Sequence, residues 1–220
     1  MYKKMVIAFV VIILYCSILS AQSGNNQSGI VAIKFFGGYG LSWFTDLDNG
    51  DPRDSFQLGI SIAVQKDLIL NPEFGLRYIN KGYKLDYIVK NQWGLPVGSV
   101  EGFGNFHFID PFLRLRFQKL SVPLEPYVGI SYAGLIERNR EVTYSGLQIE
   151  NEKDNLNSSS SEAEANLLLG MDYIFYERFV VNLEYIMGFA KIGYYGSGYN
   201  TTSVHLTRAV TMSFGVLLKI

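Results

Sequence analysis

Cysteine is all but missing: the chain carries one, Cys16, and it lies near the N-terminus rather than in the body of the sequence. A body without cysteine builds no disulfide, no thiolate metal site and no cysteine nucleophile. Charge is scarce too, at 18% against roughly 25% in an ordinary soluble domain. The formal net charge of −1 offers no basic field for nucleic acid. The two histidines, His107 and His205, have no Cys, Asp or Glu at metal-ligand spacing, so no zinc site is indicated. Past residue 22 no apolar run approaches the roughly 20 residues of a membrane-spanning helix. The glycine-rich stretches Gly37-Gly38-Tyr39-Gly40 and Gly193 to Gly198 open no helix, and a phosphate cradle needs a strand, a loop and a helix in that order.

What is present begins with a leader. Lys3 and Lys4 precede an unbroken apolar run from Met5 to Leu14, and the small residues Ser17, Ser20 and Ala21 precede a polar stretch. That order predicts a secretory signal peptide over 1–21, a short periplasmic lead-in over 22–29, and an exported domain over 30–220. The run from Met5 to Leu19 is too short for an anchor helix. Leu14-Tyr15 ahead of Cys16 does not fit a lipoprotein signal, which takes small residues there.

Beyond the leader, apolar residues alternate with small or polar ones. The last segment shows it most plainly: Val210, Met212, Phe214, Val216, Leu218 and Ile220 interleave with Ala209, Thr211, Ser213, Gly215, Leu217 and Lys219. The same pattern predicts strands at about 30–44, 55–65, 70–88, 105–118, 124–140, 164–175 and 179–191. A membrane strand needs about 9–11 residues, with one face apolar for lipid and the other small or polar for the lumen. Connections alternate in length. Those after the second, fourth and sixth strands are short, while those near 45–54, 89–104, 141–163 and 192–204 are long and rich in Gly, Asn, Asp and Ser. Short periplasmic turns facing longer outer loops belong to outer-membrane barrels. The expected fold is all-β, a transmembrane antiparallel up-and-down β-barrel of eight strands with both termini periplasmic. On that reading Val210 sits deeper in the membrane than Val216.

The faces opposite lipid gather Lys34, Arg77, Lys81, Arg114, Arg116 and Lys219 with Glu73, Asp110, Glu125, Glu137, Asp172 and Glu184. Eight strands enclose a space that side chains just fill, and isolated buried ions are very costly, so a paired, packed plug is expected. Inward Phe36, Phe112 and Tyr127 oppose an open channel. The alternative is a narrow ion path or small-ligand cavity. Glu150, Glu152, Lys153, Asp154, Glu162 and Glu164, with Ser158 to Ser161, read as one solvated loop. His205-Leu206-Thr207, with Arg208 beside it for lipid phosphate, is a thin version of a lipid A acylase or deacylase site, with Thr in place of Ser. No catalytic, cofactor or metal residue is assigned.

Glu73-Phe74-Gly75-Leu76-Arg77-Tyr78-Ile79-Asn80-Lys81-Gly82-Tyr83 and Pro126-Tyr127-Val128-Gly129-Ile130-Ser131-Tyr132 resemble the PorT-like outer-membrane β-barrel family, and more broadly the porin-family barrels of Gram-negative bacteria. In the fourth strand, Phe108-Ile109-Asp110-Pro111-Phe112 follows the family pattern only loosely. One namesake member is implicated in type IX protein secretion. The resemblance therefore implies a non-enzymatic outer-membrane protein, structural or partner-binding, with a secretion-accessory role within its range. A small pore or ligand-binding barrel is the alternative, and a lipid A-modifying enzyme ranks behind both. Expected partners are outer-membrane lipid, lipopolysaccharide and envelope or secretion-system proteins, not nucleic acid. A closed barrel satisfies its backbone hydrogen bonds internally, so the folded protein should migrate differently in SDS before and after boiling. Identical mobility of the two samples would count against closure.

Overall fold

Period-two alternation becomes nine β-strands among the described residues, which in this computed structural model are 30–45, 50–65, 70–117, 123–147, 151–157, 163–189 and 207–219. The expected leader, the lead-in, His205 and the whole of the expected loop 192–204 lie outside them. The strands are β1 Ile30–Phe44, β2 Gly50–Gln65, β3 Leu70–Lys90, β4 Pro96–Phe117, β5 Leu124–Ser145, β6 Glu152–Asn157, β7 Ala163–Phe175, β8 Phe179–Gly188 and β9 Thr207–Lys219. Eight of them form a closed antiparallel ring in the order β1-β2-β3-β4-β5-β7-β8-β9, and β6 adds to β5 outside the ring. Closure runs from Ala32 opposite Lys219 to Phe44 opposite Thr207. A ring leaves no unpaired edge, the condition for strands to stand in hydrocarbon, where an unsatisfied peptide group costs several kcal/mol.

The alternation sorts as expected within the ring. Phe35, Leu58, Ile130, Leu183 and Phe214 stand exposed on the outside, while Lys34, Gln57, Arg77, Arg114, Asn182 and Thr211 are buried inside. Inward glycines make room for the large inward rings: any Cβ at Gly75 would collide with the Phe112 ring, and one at Gly170 with the Tyr127 phenol. At the end with the short turns, β7 and β8 are joined through Tyr176 and Glu177, both at positive φ (51° and 59°), with the Arg178 amide donating to the Phe175 carbonyl. That geometry is a type I′ turn, whose twist matches the flanking strands. Tyr173, Phe175 and Phe179 stack beside it.

At the other end the structure departs from the expected loops. Residues 89–104 are mostly strand: β3 and β4 continue to a tight turn at 91–95, closed by the Asn91 carboxamide, which accepts from the amides of Trp93 and Leu95. Likewise β2 begins at Gly50, β5 extends to Ser145, and the stretch 141–163 contains β6. Strands of 21 and 22 residues at about 3.3 Å each run about 70 Å, far beyond the 9–11 residues of a crossing. Above the apolar band the faces exchange polarity. Leu85, Val100 and Val142 are buried inside, whereas Lys84, Asp86 and Glu101 are exposed outside. An alternation read against lipid has the wrong sign there, which is why these segments pass for loops.

A second departure is a bulge. Phe108 faces Leu135 but His107 faces Glu137, so Ile136 is an extra residue in β5. One extra residue reverses which side every later side chain takes. Glu137, expected in the lumen, is therefore on the outside and exposed.

Depth in lipid is also corrected. Strand β9 starts at Thr207, so Val210 and Val216 both lie three residues from its middle, Ser213. Val216 pairs with Phe179 at the short-turn end and Val210 with Tyr185 near the opposite end. Charge on a lipid face costs about 2–4 kcal/mol at the midplane and about 0–1 kcal/mol near an interface. Phe214→Arg should therefore destabilise the barrel more than either Val210→Arg or Val216→Arg, which should cost similar amounts; urea unfolding in vesicles measures the difference.

Candidate functional site

The lumen is the candidate site, because it collects the charges that the alternation turns away from lipid. Nearest the short-turn end, the Lys34 ammonium lies 2.8 Å from Glu73 and 2.9 Å from Asp172. Ser61 also donates to Glu73. Arg116 reaches Glu73 at 3.4 Å and Glu125 at 3.0 Å. Ala32, Val180 and Leu217 pack as a small apolar floor.

At mid-height, Glu184 receives Arg114 at 2.6 Å and Arg77 on its other oxygen. Arg77 also donates through Nε to Asp110 at 2.8 Å and through Nη1 to Gln57 at 3.1 Å. Tyr127 donates to Glu184 at 2.9 Å, and Asn182 donates to Tyr127 and Asp172 at 2.7 and 2.6 Å. The Arg114 guanidinium rests 4.2 Å from the Phe112 ring centre and 4.6 Å from that of Tyr127. Its side chain is 1% exposed. The gap bordered by Lys34, Phe36, Arg114, Val180, Asn182 and Ser213 admits no water-sized sphere.

The upper layer turns on Lys81, which lies 2.9 Å from Glu164 and donates to Asn166 and Thr207 at 3.1 and 3.3 Å. Thr207 in turn donates to Glu164. Glu164 is thus a lumen residue, not part of a solvated loop. The signal was present, since Glu164 shares the parity of inward Asn166, Gly170 and Asp172. Between this layer and Arg77, Ile79, Phe108, Leu168 and Ile186 form a buried apolar layer, and above Lys81 the side chains of Phe44, Tyr83, Leu85 and Phe106 close the lumen.

Of the charges expected inside, Lys34, Glu73, Arg77, Lys81, Asp110, Arg114, Arg116, Asp172 and Glu184 are brought together, with Glu125 at the margin. Lys219 is not among them: it lies at the rim, 40% exposed and 3.5 Å from Glu177. Thr207, the hydroxyl of the acylase-like trio, points into the lumen and is buried. It is therefore turned away from the lipid surface on which such a site would work. Among the described residues no group of three or more His, Cys, Asp or Glu gathers as a metal site.

Outside, polar and aromatic residues border the apolar band at the long-loop end. Tyr78 and His107 share a hydrogen bond, and the Trp43 and Tyr185 rings lie 6.5 Å apart. Arg208 stands opposite Trp43 and Met187 on its two neighbouring strands.

Residues 20–193 match the family model described as outer membrane protein beta-barrel domain. No curated protein matches the chain. Among solved structures, it is similar to Neisserial surface protein A, with 15% identity over 87% of this chain and 99% of that one, TM-score 0.46. It is also similar to Ail, the attachment invasion locus protein of Yersinia pestis, with 12% identity, 86% and 99% coverage, and TM-score 0.45 in its complex with the heparin analogue sucrose octasulfate. A third is the N-terminal β-barrel domain of OprF from Pseudomonas aeruginosa, with 16% identity, 88% and 100% coverage, and TM-score 0.38. With identities this low, no role passes from these proteins to this chain. The family match covers most of the sequence and agrees with a closed eight-strand ring that is apolar outside and ionic within: the chain belongs to the outer membrane protein β-barrel domain family and resides in the cell outer membrane.

Proposed function

We propose that the protein is a non-enzymatic outer-membrane scaffold, structural or partner-binding, and not a channel. The observation that carries this reading is the lumen itself. Its charges are paired with one another across the ring, its aromatic rings fill the remaining width, and apolar layers close it above and below. A barrel so filled acts through its surfaces. The surface it enlarges is the outer one, where β3, β4 and β5 continue well beyond the membrane and β6 widens the sheet. The likeness of Glu73 to Tyr83 and Pro126 to Tyr132 to the PorT-like family supports, within this reading, an accessory role in protein secretion with an envelope protein as partner.

One observation favours a second reading, a narrow water-filled path. Asp110 Oδ1, Arg116 Nη2 and Glu164 Oε2 are buried with no hydrogen-bond partner among the described residues, and such atoms are costly unless water reaches them. The two readings separate on Arg114. It pairs with Glu184, which shares Arg77 with Asp110, so these four residues form a nearly self-contained neutral set. Removing one partner of a buried pair costs about 3–5 kcal/mol, whereas replacing a whole set with packed apolar residues can be neutral. Arg114→Met alone should therefore lower stability to urea in lipid vesicles by about that much. Joint apolar replacement of Arg77, Asp110, Arg114 and Glu184 should recover most of it, with single-channel conductance absent throughout. If Arg114→Met leaves stability unchanged and alters conductance, the charges line a path and the scaffold reading fails.

A further inference from the structure

Arg208 is a cation placed where the membrane's own anions are. It begins the outward column of β9, directly above Val210, Met212, Phe214, Val216 and Leu218. One guanidinium nitrogen, Nη1, is committed to two backbone carbonyls, Gly188 at 3.0 Å and Thr207 at 2.9 Å. These bonds fix the side chain without neutralising it and leave Nε and Nη2 for another acceptor. No carboxylate among the described residues pairs with it. In sequence, residues 190–206, which precede it, contain no Asp or Glu. Trp43 and Tyr185, the ring pair typical of the headgroup level, flank it on β1 and β8.

A second feature lies below it on the same strands. Gly37 faces outward between Leu58 and Phe214 and lies on an open apolar groove of about 720 Å³ walled by Phe35, Leu58, Ile60, Phe179, Phe214 and Val216. From Arg208 to Phe214 is about 20 Å along the strand at about 3.4 Å per residue. With a membrane-strand tilt of about 45° this descends about 14 Å, close to one leaflet of a hydrocarbon core about 30 Å thick. The cation and the groove are thus one leaflet apart, joined by the columns Leu41–Tyr39 and Val210–Met212.

We propose that this face holds one ordered phosphorylated lipid of the outer leaflet, its phosphate on Arg208 and an acyl chain running down to the groove at Gly37. Arginine suits the head, since its planar fork bonds phosphate oxygens in pairs. A glycine at the foot admits a chain where any larger residue would fill the wall.

The test uses the folded full barrel in mild detergent, with lipid binding followed by native mass spectrometry and by Trp43 fluorescence. The probes are diphosphorylated lipid A, its dephosphorylated form and inorganic phosphate. Heat-modifiable migration confirms that each variant is folded. Wild type should bind lipid A about tenfold or more tightly than the dephosphorylated form, the ratio one charge-assisted hydrogen bond supplies. Arg208→Gln should remove that preference, and Arg208→Lys should keep part of it. Gly37→Leu should weaken both lipids about equally, because an added Cβ there meets only ordinary contact with Leu58 and blocks the tail alone. No preference in wild type, an unchanged preference in Arg208→Gln, or unweakened binding in Gly37→Leu would overturn the site. So would an equal fluorescence response to inorganic phosphate, which would make the ligand a free anion. Tighter lipid A binding by the joint variant Asp46→Asn with Asp48→Asn would show that a carboxylate already holds Arg208, and would overturn it as well.

Discussion

Every charge inside this barrel has to be answered by another charge inside it. An eight-strand ring is too narrow for bulk water, and an unanswered buried ion costs more than a small barrel can bear. The lumen therefore works as a set of simultaneous geometric conditions on strands far apart in sequence. Glu184 on β8 is satisfied only if Arg114 on β4, Arg77 on β3 and Tyr127 on β5 all reach it. Lys34 on β1 needs both Glu73 on β3 and Asp172 on β7. A shift of one residue in any of these strands would send its charged side chain into lipid. The network thus specifies the register as well as filling the space, and the glycines opposite Phe112 and Tyr127 are what allow rings and ions to occupy the same layers.

The second organising fact is that the chain meets two solvents. Within the membrane band, apolar residues face out because lipid is there. Above it the same strands face water, and the apolar side chains turn to the concave interior, as with Leu85, Val100 and Val142. Pairing continues without interruption across that boundary in β3 and β4, from Leu70 opposite Phe117 to Val89 opposite Gly98. In β5 the bulge at Ile136 performs the exchange of faces, which is how Glu137 leaves the lumen while Arg138 and Arg140 become buried.

These two facts locate where function has room to act. On the proposed scaffold reading, a filled lumen leaves the outer surfaces as the working parts. They are the long sheet raised beyond the membrane, and the lipid-facing side on which Arg208, Trp43 and Gly37 line up. The described part of the chain is otherwise uneven: β7, β8 and β9 have 10–13 residues where β3, β4 and β5 have 21–22. Among the described residues, the sheet raised toward the exterior is therefore the β3–β5 side.

Strand number within the ring, the inward or outward face of nearly every membrane residue, and the closed all-β architecture were legible in the sequence. Alternation against lipid is a local property: Phe35 beside Lys34, or Leu183 between Asn182 and Glu184, declares its face without reference to any other strand. The lumen charges were legible as a population for the same reason. Which charge meets which was not, because partners such as Arg114 and Glu184, or Lys81 and Glu164, are distant in sequence and share a layer only once the ring closes with its stagger. Nor could local pattern reveal the bulge that carries Glu137 outward, the continuation of β3 and β4 through residues that alternate with the opposite sign, or Thr207 turned inward toward Lys81. Each depends on neighbouring strands and on the height at which lipid gives way to water. Only the tertiary structure decides that height, since it alone relates the residues of one strand to the level of the next.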